Sequence, residues 1–367
     1  MSILRVAFVG VGRVGSLALK LFAEEYPDAE IVAVDKFDRS NIIKGLGGST
    51  AFHRAHEPLE VFEIVRNADV VATALPSDTA LPVVRELLTR GQNVVDVSFM
   101  DIDPYIFENL CKKNGSFYVF DAGFSPGFSN LVVGHVSSMM GMLDLLGIYV
   151  GGIPTRPVPP IKYQITWNPE DLKEEYVRPA RIVINGSIRT VDPLEKILKV
   201  EIPGLGSFEG FYCDNLRTLL RNVKAKEMFY VTLRHEGHLS IMKTLRDLGF
   251  FAKGEIEVSG CRIAPYKFTA EMFGRKLQQT IPDQAILYIV ASGSGKRYEL
   301  LTRLIGEKDR SATAYYTALI YAKTCMMALS EELSPGVYPL EHLRYYDEYL
   351  RYLKDHGVFV DERFSNS

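Results

Sequence analysis

Short runs of β-branched and aromatic residues recur along the first third of the chain: Ile3 to Val9, Ala29 to Val34, Val70 to Leu75, Asn93 to Val97 and Phe117 to Phe120. Between them lie stretches with apolar residues at helical spacing, among them Val14 to Glu25 and Ser77 to Arg90, which opens on Ser-Asp and closes before Gly91. Strands alternating with helices predict right-handed crossovers and an α/β fold with a doubly wound parallel sheet. Beyond Gly123 the pattern changes. Gly151-Gly152-Ile153-Pro154 and Pro157 to Pro160 read as interruptions, and the strands that follow carry hairpin turns, most clearly Asn185-Gly186 inside Ile182 to Val191. This predicts a second, α+β domain of largely antiparallel strands. Ser311 to Leu333 and His342 to Lys354 are helical by period and would pack back on the first domain. The expected divisions are 1–122, 123–310 and 311–367.

Length supports this organisation, because 367 residues exceed one ordinary core and suit about two domains. A charged fraction of 24% and a hydrophobic fraction of 47% belong to a folded globular chain. The formal net charge of -3 offers no reason to expect a nucleic-acid or anionic-membrane partner, so any ligand must be recognised locally. The first strand follows the N-terminus directly, with no basic leader, bilayer-length apolar segment or cleavage site, and the expectation is a cytoplasmic protein. Cys111, Cys213, Cys261 and Cys325 form no CxxC pair, which argues against a disulfide framework or zinc ribbon and for reduced, packed thiols.

Gly10-Val11-Gly12-Arg13-Val14-Gly15 matches GxGxxG, a pattern that is weak alone and gains force from context. The motif leaves an apolar strand, enters a helix, and is followed by Asp35 at the end of the next strand, 20 residues beyond Gly15. That is the dinucleotide-binding arrangement. Gly10 makes the turn, Gly12 lets backbone approach a pyrophosphate, and Gly15 lets helix and strand pack closely. The free N–H groups at the helix start, at Arg13 and Val14, favour phosphate. Asp35 would accept ribose hydroxyls and repel a 2′-phosphate, which favours NAD over NADP, although Lys36 and Arg39 keep the alternative open. Leu75-Pro76-Ser77 and Asp96-Val97-Ser98 fall at strand ends on the same carboxyl edge and are expected to line the cofactor, unless Ser77 only caps its helix. Ser292-Gly293-Ser294-Gly295-Lys296 mimics a phosphate-binding loop but has Val290 five residues before Gly295 and Arg297 after the lysine, so a surface hairpin is expected.

Asp121-Ala122-Gly123-Phe124-Ser125-Pro126-Gly127-Phe128-Ser129-Asn130 resembles the DxGxxPGxxN signature of the saccharopine dehydrogenase family. Ile165 to Pro169 with Glu175 to Ala180, Asp214 to Arg217, Thr232 to His238, Leu245 to Gly249 and Ser311 to Tyr315 extend the match in order over nearly the whole chain. The length and the EEYVRPA and LGFF stretches resemble most the prokaryotic lysine 6-dehydrogenase branch. The resemblance implies a Rossmann domain, a second domain that binds an amino-acid substrate and forms a homodimer interface, and C-terminal helices returning to the first domain. It also implies NAD-dependent oxidation of a side-chain amine to an aldehyde and ammonia. One departure is that relatives usually carry Tyr-Pro where this chain has His235-Glu236, which bears on the substrate pocket.

An α-amino acid needs its carboxylate held, and a guanidinium does so bidentately, which makes Arg178, Arg217 and Arg234 candidates; each could instead serve in an internal or surface ion pair. Amine oxidation needs a neutral nitrogen, so a carboxylate or neutral imidazole should stand nearby. Asp121 is the candidate for the amine's charge, and His235 or His238 for the base, unless Arg-His-Glu-Gly-His is simply a capped helix start with part-buried imidazoles. With no third ligand beside the histidines, no metal is expected. Trp167, the single tryptophan, either walls the pocket or packs in the core. Three readings remain: a lysine-type amine dehydrogenase, a saccharopine-type enzyme forming or cleaving a secondary amine, and an NAD-binding sensor without catalysis.

Overall fold

The computed structural model describes residues 3–165, 169–307, 309–330 and 333–366. The chain divides into two compact units, Met1–His135 with Tyr315–Leu353 and Val136–Ala314 with Lys354–Ser367. The borders fall within helices, not at 122 and 310.

The first unit is built on a seven-stranded sheet in the order Gly336–Tyr338, Phe117–Val119, Val94–Asp96, Val70–Thr73, Arg5–Val9, Glu30–Asp35, Ser49–Arg54. Every pairing is parallel. Val6, Ala7, Val71, Ala72, Val94 and Val95 are buried, because helices cover both faces; this is why the central strands read as continuous apolar runs. Strand order reverses at Arg5–Val9, with Glu30–Asp35 on one side and Val70–Thr73 on the other. The carboxyl ends beside this reversal are where doubly wound sheets open a crevice for ligands. Ser49–Arg54 and Gly336–Tyr338 carry no strand signal in the sequence. The first is an edge strand exposed along most of its length, and the second has only 3 residues.

The second unit holds a mixed sheet of nine strands. Seven follow the order Leu198–Ile202, Gly206–Tyr212, Ala225–Arg234, Leu143–Pro154, Asp283–Gly293, Lys296–Ile305, Phe359–Asn366, and the hairpin Ala180–Ile184 with Ser187–Val191 attaches at Ala225–Arg234. All pairings are antiparallel except Leu143–Pro154 with Ala225–Arg234. Asn185 and Gly186 adopt φ of 51° and 72°, as a two-residue turn of right-handed twist demands. Ser294 and Gly295 do the same at 51° and 70°, so the serine–glycine segment is the expected hairpin and not a phosphate loop.

Three expectations are corrected. Gly151 to Pro154 does not interrupt the chain; it is the last third of a 12-residue strand. Gly152 is there for packing, since a Cβ on it would stand 2.9 Å from Thr313 Oγ1. The chain after Asp355 is not part of the helical tail but ends in the edge strand Phe359–Asn366. Cys261 is exposed, whereas Cys111, Cys213 and Cys325 are the buried thiols expected.

Helix Ala312–Ser330 is started by a buried carboxylate. Asp283 accepts from the N–H of Ala312 at 2.7 Å and of Thr313 at 3.2 Å, and from the Ser311 hydroxyl at 2.7 Å. These satisfy donors that a helix start otherwise leaves open. Among the described residues no helix is long and apolar enough to cross a membrane.

Candidate functional site

At the end of strand Arg5–Val9 the chain turns through Gly10, whose φ is +86° and whose N–H donates to Val34 O at 2.8 Å. A Cβ on Gly10 would lie 2.3 Å from Ala74 O, and one on Gly15 would lie 2.0 Å from Gly10 O. Both glycines are therefore imposed by the protein's own packing. Gly12 is different: its φ is −73°, and a Cβ there would meet nothing within 4 Å. It precedes helix Arg13–Glu25, which has no side-chain cap and no acidic residue in its first turn. An uncapped helix start facing open space suits a diphosphate, which supplies the acceptors and charge that such an end lacks. Arg13 is exposed and Val14 part-buried beside it.

Asp35 completes the turn. Its Oδ2 accepts from Val11 N–H at 3.1 Å and lies 3.4 Å from Arg39 Nε, while Oδ1 accepts from Phe37 N–H at 2.9 Å. A carboxylate has about four acceptor directions, so Oδ1 keeps one for a ribose hydroxyl. Lys36 is exposed, with its ammonium 5.2 Å above the Phe37 ring.

The strand-end residues Leu75 and Ser98 are brought together: Leu75 N–H donates to Ser98 Oγ at 2.9 Å. Val97 is part-buried, and Pro76 and Ser77 are exposed at the start of helix Ser77–Thr89. Ser77 does not cap that helix; Pro76 holds the cap position and no side chain bonds there. Beneath the pair sits Asp96, which the sequence places on the same strand end but whose burial it does not signal. It is fully buried and accepts from Thr73 Oγ1 at 2.7 Å, Ser98 N–H at 3.1 Å and the Tyr118 hydroxyl at 3.1 Å. Burial pushes its carboxyl up to about 6 against the pull of these hydrogen bonds. No local pattern signals a buried carboxylate in a Val-Val-Asp strand; only its partners on neighbouring strands do.

Asp121 follows the next strand, 7% exposed and with a φ of 50°. The residue after it ties this loop to the same edge, through Ala122 N–H to Asp96 O at 2.9 Å. The loop's far end is locked by Asn130, which accepts from Gly127 N–H and Ser129 Oγ, both at 3.2 Å, and donates to Glu341 Oε2 at 3.2 Å. The asparagine of the signature thus has a structural duty.

In the second unit, strand Ala225–Arg234 ends in the Arg-His-Glu-Gly-His turn before helix His238–Asp247. Arg234 is 2% exposed: Nη2 meets Glu175 Oε2 at 2.6 Å, Nε donates to the Tyr176 hydroxyl at 3.0 Å, and Nη1 to Leu233 O at 2.9 Å. Tyr163 and Phe211 flank the guanidinium at 4.9 and 5.6 Å. Tyr176 in turn donates to His238 Nε2 at 2.8 Å, and His238 Nδ1–H donates to Ile161 O at 2.7 Å. The carbonyl can only accept, so this chain fixes the tautomer. Burial and then the Arg234 charge push the His238 imidazole down to about 3.

Arg234 and His238 have their polar atoms engaged inside the protein, and His238 takes the buried-helix-start alternative. His235 differs. It is part-buried, its Nε2–H donates to Pro154 O at 2.7 Å, and burial lowers its pKa, leaving Nδ1 as a neutral acceptor. Arg178 and Arg217 are part-buried, and Arg217 has a φ of 51°. Trp167 lies outside the described residues. Among the described residues, no group of three or more His, Cys, Asp or Glu side chains is placed to hold a metal ion.

Two outcomes follow from this geometry. Gly12→Ala should leave thermal stability at the wild-type value and weaken NAD binding by more than about tenfold in calorimetry, because the methyl enters only the open space at the helix start. The second concerns acid. An unfolded chain protonates His238 near 6.5, while the folded protein keeps it neutral to about 3. The unfolded state then holds the extra proton between those values. Stability is whole above pH 6.5 and falls with acidification by up to about 1.4 kcal/mol per pH unit. Denaturant midpoints at pH 7 and pH 5 should therefore converge in His238→Gln, relative to the parent.

The profile of the saccharopine dehydrogenase C-terminal domain matches residues 123–358. An α-aminoadipic semialdehyde synthase of Arabidopsis thaliana is 24% identical over 247 residues, covering 62% of this chain and 23% of that protein, so the chain spans about a quarter of that relative. An apo saccharopine dehydrogenase (L-Glu forming) from Saccharomyces cerevisiae shares the fold with a TM-score of 0.79, at 16% identity and with 98% of this chain and 99% of that one covered. With a parallel Rossmann-like sheet, a mixed second sheet and a family profile spanning well over half its length, the chain belongs to the saccharopine dehydrogenase family of oxidoreductases.

Proposed function

We propose that the protein is an NAD-dependent dehydrogenase that oxidises the side-chain amine of L-lysine or a related diamino acid. The amine loses two electrons and two hydrogens to become an imine, and water releases ammonia and leaves the aldehyde. The observation that carries this reading is the shared carboxyl edge: the open helix start at Gly12, the Asp35 carboxylate and the loop that begins at Asp121 all leave one parallel sheet. A nicotinamide dinucleotide bound at that edge supplies a two-electron acceptor.

The chain's own groups supply the rest. Asp35 takes a ribose hydroxyl and disfavours a 2′-phosphate, and Arg39, the cation that would welcome one, is turned toward Asp35 at 3.4 Å. Asp121 balances the amine's charge. His235, neutral and with Nδ1 open to a proton, is a better base than His238. Arg178 and Arg217 hold the α-carboxylate, since Arg234 is committed to Glu175. Association as a homodimer through the second unit belongs to the same reading.

A second reading, cleavage or formation of a secondary amine, is favoured by the saccharopine dehydrogenase fold match across 98% of the chain. Both are tested by supplying NAD with lysine, ornithine, diaminopimelate or saccharopine and following reduced-nicotinamide absorbance together with ammonia. Turnover of a diamino acid with one ammonia per reduced cofactor is the expected result. Turnover of saccharopine alone, without ammonia, supports the second reading, and NAD binding without turnover of any of the four overturns both.

A further inference from the structure

The second unit contains a cleft of about 620 Å³ between the turn at Pro203 to Leu205, the end of strand Lys296–Ile305 and the edge strand Phe359–Asn366. None of its lining residues has a part in the site described above. Its walls are mixed, with apolar surface from Leu205, Leu301, Ile305 and Phe359 and three arginines, Arg303, Arg310 and Arg363, among the lining residues.

Two of the three are matched. Arg363 reaches Asp361 through two hydrogen bonds, at 3.2 and 2.6 Å, and Arg310 pairs with Glu307. Arg303 is not. Its Nε donates to Gln284 Oε1 at 2.9 Å, a neutral amide that is 4% exposed, and among the described residues it meets no carboxylate. Its neighbours across the sheet, Ile286 on one strand and Phe359 on the other, are apolar. The buried glutamine therefore orients the guanidinium by Nε, and among the described residues no hydrogen bond or ion pair engages its paired Nη edge, which can bind a carboxylate bidentately.

We infer that this cleft is a second ligand site that takes a small organic carboxylate with an apolar body. The chemistry selects the class. Among the described lining residues, three guanidinium groups and the His356 imidazole stand with two carboxylates that are already paired, which leaves one guanidinium without a carboxylate and suits a monoanion. The planar fork fits a carboxylate, and the volume lies in the range of small-molecule sites whose apolar walls surround a few fixed polar groups.

Hexanoate is the probe, titrated calorimetrically into the full-length protein at constant ionic strength, with hexanamide and inorganic phosphate as comparisons. Saturable binding of hexanoate is expected, with hexanamide and phosphate each weaker by more than about tenfold. Arg303→Gln should weaken hexanoate by a similar factor while NAD binding stays at the parent value, and Arg303→Lys, which keeps the charge but loses the fork, should fall between the two. Hexanoate that fails to saturate, binds no better than hexanamide, or binds Arg303→Lys as tightly as the parent overturns the assignment. The lysine variant serves as the test if the glutamine variant does not fold. Because NAD binding is read separately, failure here and failure of the dehydrogenase reading are distinguishable.

Discussion

The backbone around Gly10 has no room for a side chain, and much of the first unit follows from that crowding. Gly10, Ala74 and Gly15 bring the first turn, the end of the fourth strand and the start of the first helix to distances at which a single methyl group would collide with a carbonyl oxygen. Close approach of these three segments carries the helix start to the sheet's carboxyl edge and leaves Gly12 facing open space. The same crowding explains why three glycines with one sequence pattern have two different duties. Two are demanded by the fold, and the third is free to be demanded by a ligand.

Around that edge, buried polar side chains do what apolar packing alone cannot, which is to set the positions of loops. Asp96 joins the end of its own strand to both neighbouring strands, through Thr73 and Tyr118, and to the loop that follows it, through Ser98. Asn130 closes the Asp121 loop upon itself and onto Glu341. In the second unit Arg234, Tyr176 and His238 form a continuous chain from Glu175 to Ile161 O, and Asp283 starts a helix. In each case a group that would be costly to bury alone has its donors and acceptors satisfied, and the price of breaking any one of them is an orphaned partner. Such networks give a loop one position rather than several.

The sequence was informative where a requirement is local. The glycine turn, Asp35, the alternating strands and helices, and the Asn185-Gly186 hairpin each rest on residues close together in the chain, and each was legible. Asp96, Arg234 and His238 show the opposite. Their surroundings are assembled from distant segments, such as Tyr118 for Asp96 and Tyr176 for both Arg234 and His238. From the chain alone an arginine and a histidine beside a turn look available for chemistry, and only burial reveals that their hydrogen bonds are spent. Edge elements were hidden for a related reason: Ser49–Arg54 and Phe359–Asn366 lie largely in solvent and have no apolar face to announce them.

The central claim is that the open helix start at Gly12, with Asp35 beside it, receives the dinucleotide. Amide hydrogen exchange measured with and without saturating NAD tests it most directly. Slowed exchange concentrated at residues 11–16 and 35–37, extending to 75–77 and 97–98, is the predicted footprint. Unchanged exchange at 11–16 and 35–37, with protection elsewhere or nowhere, would contradict the account.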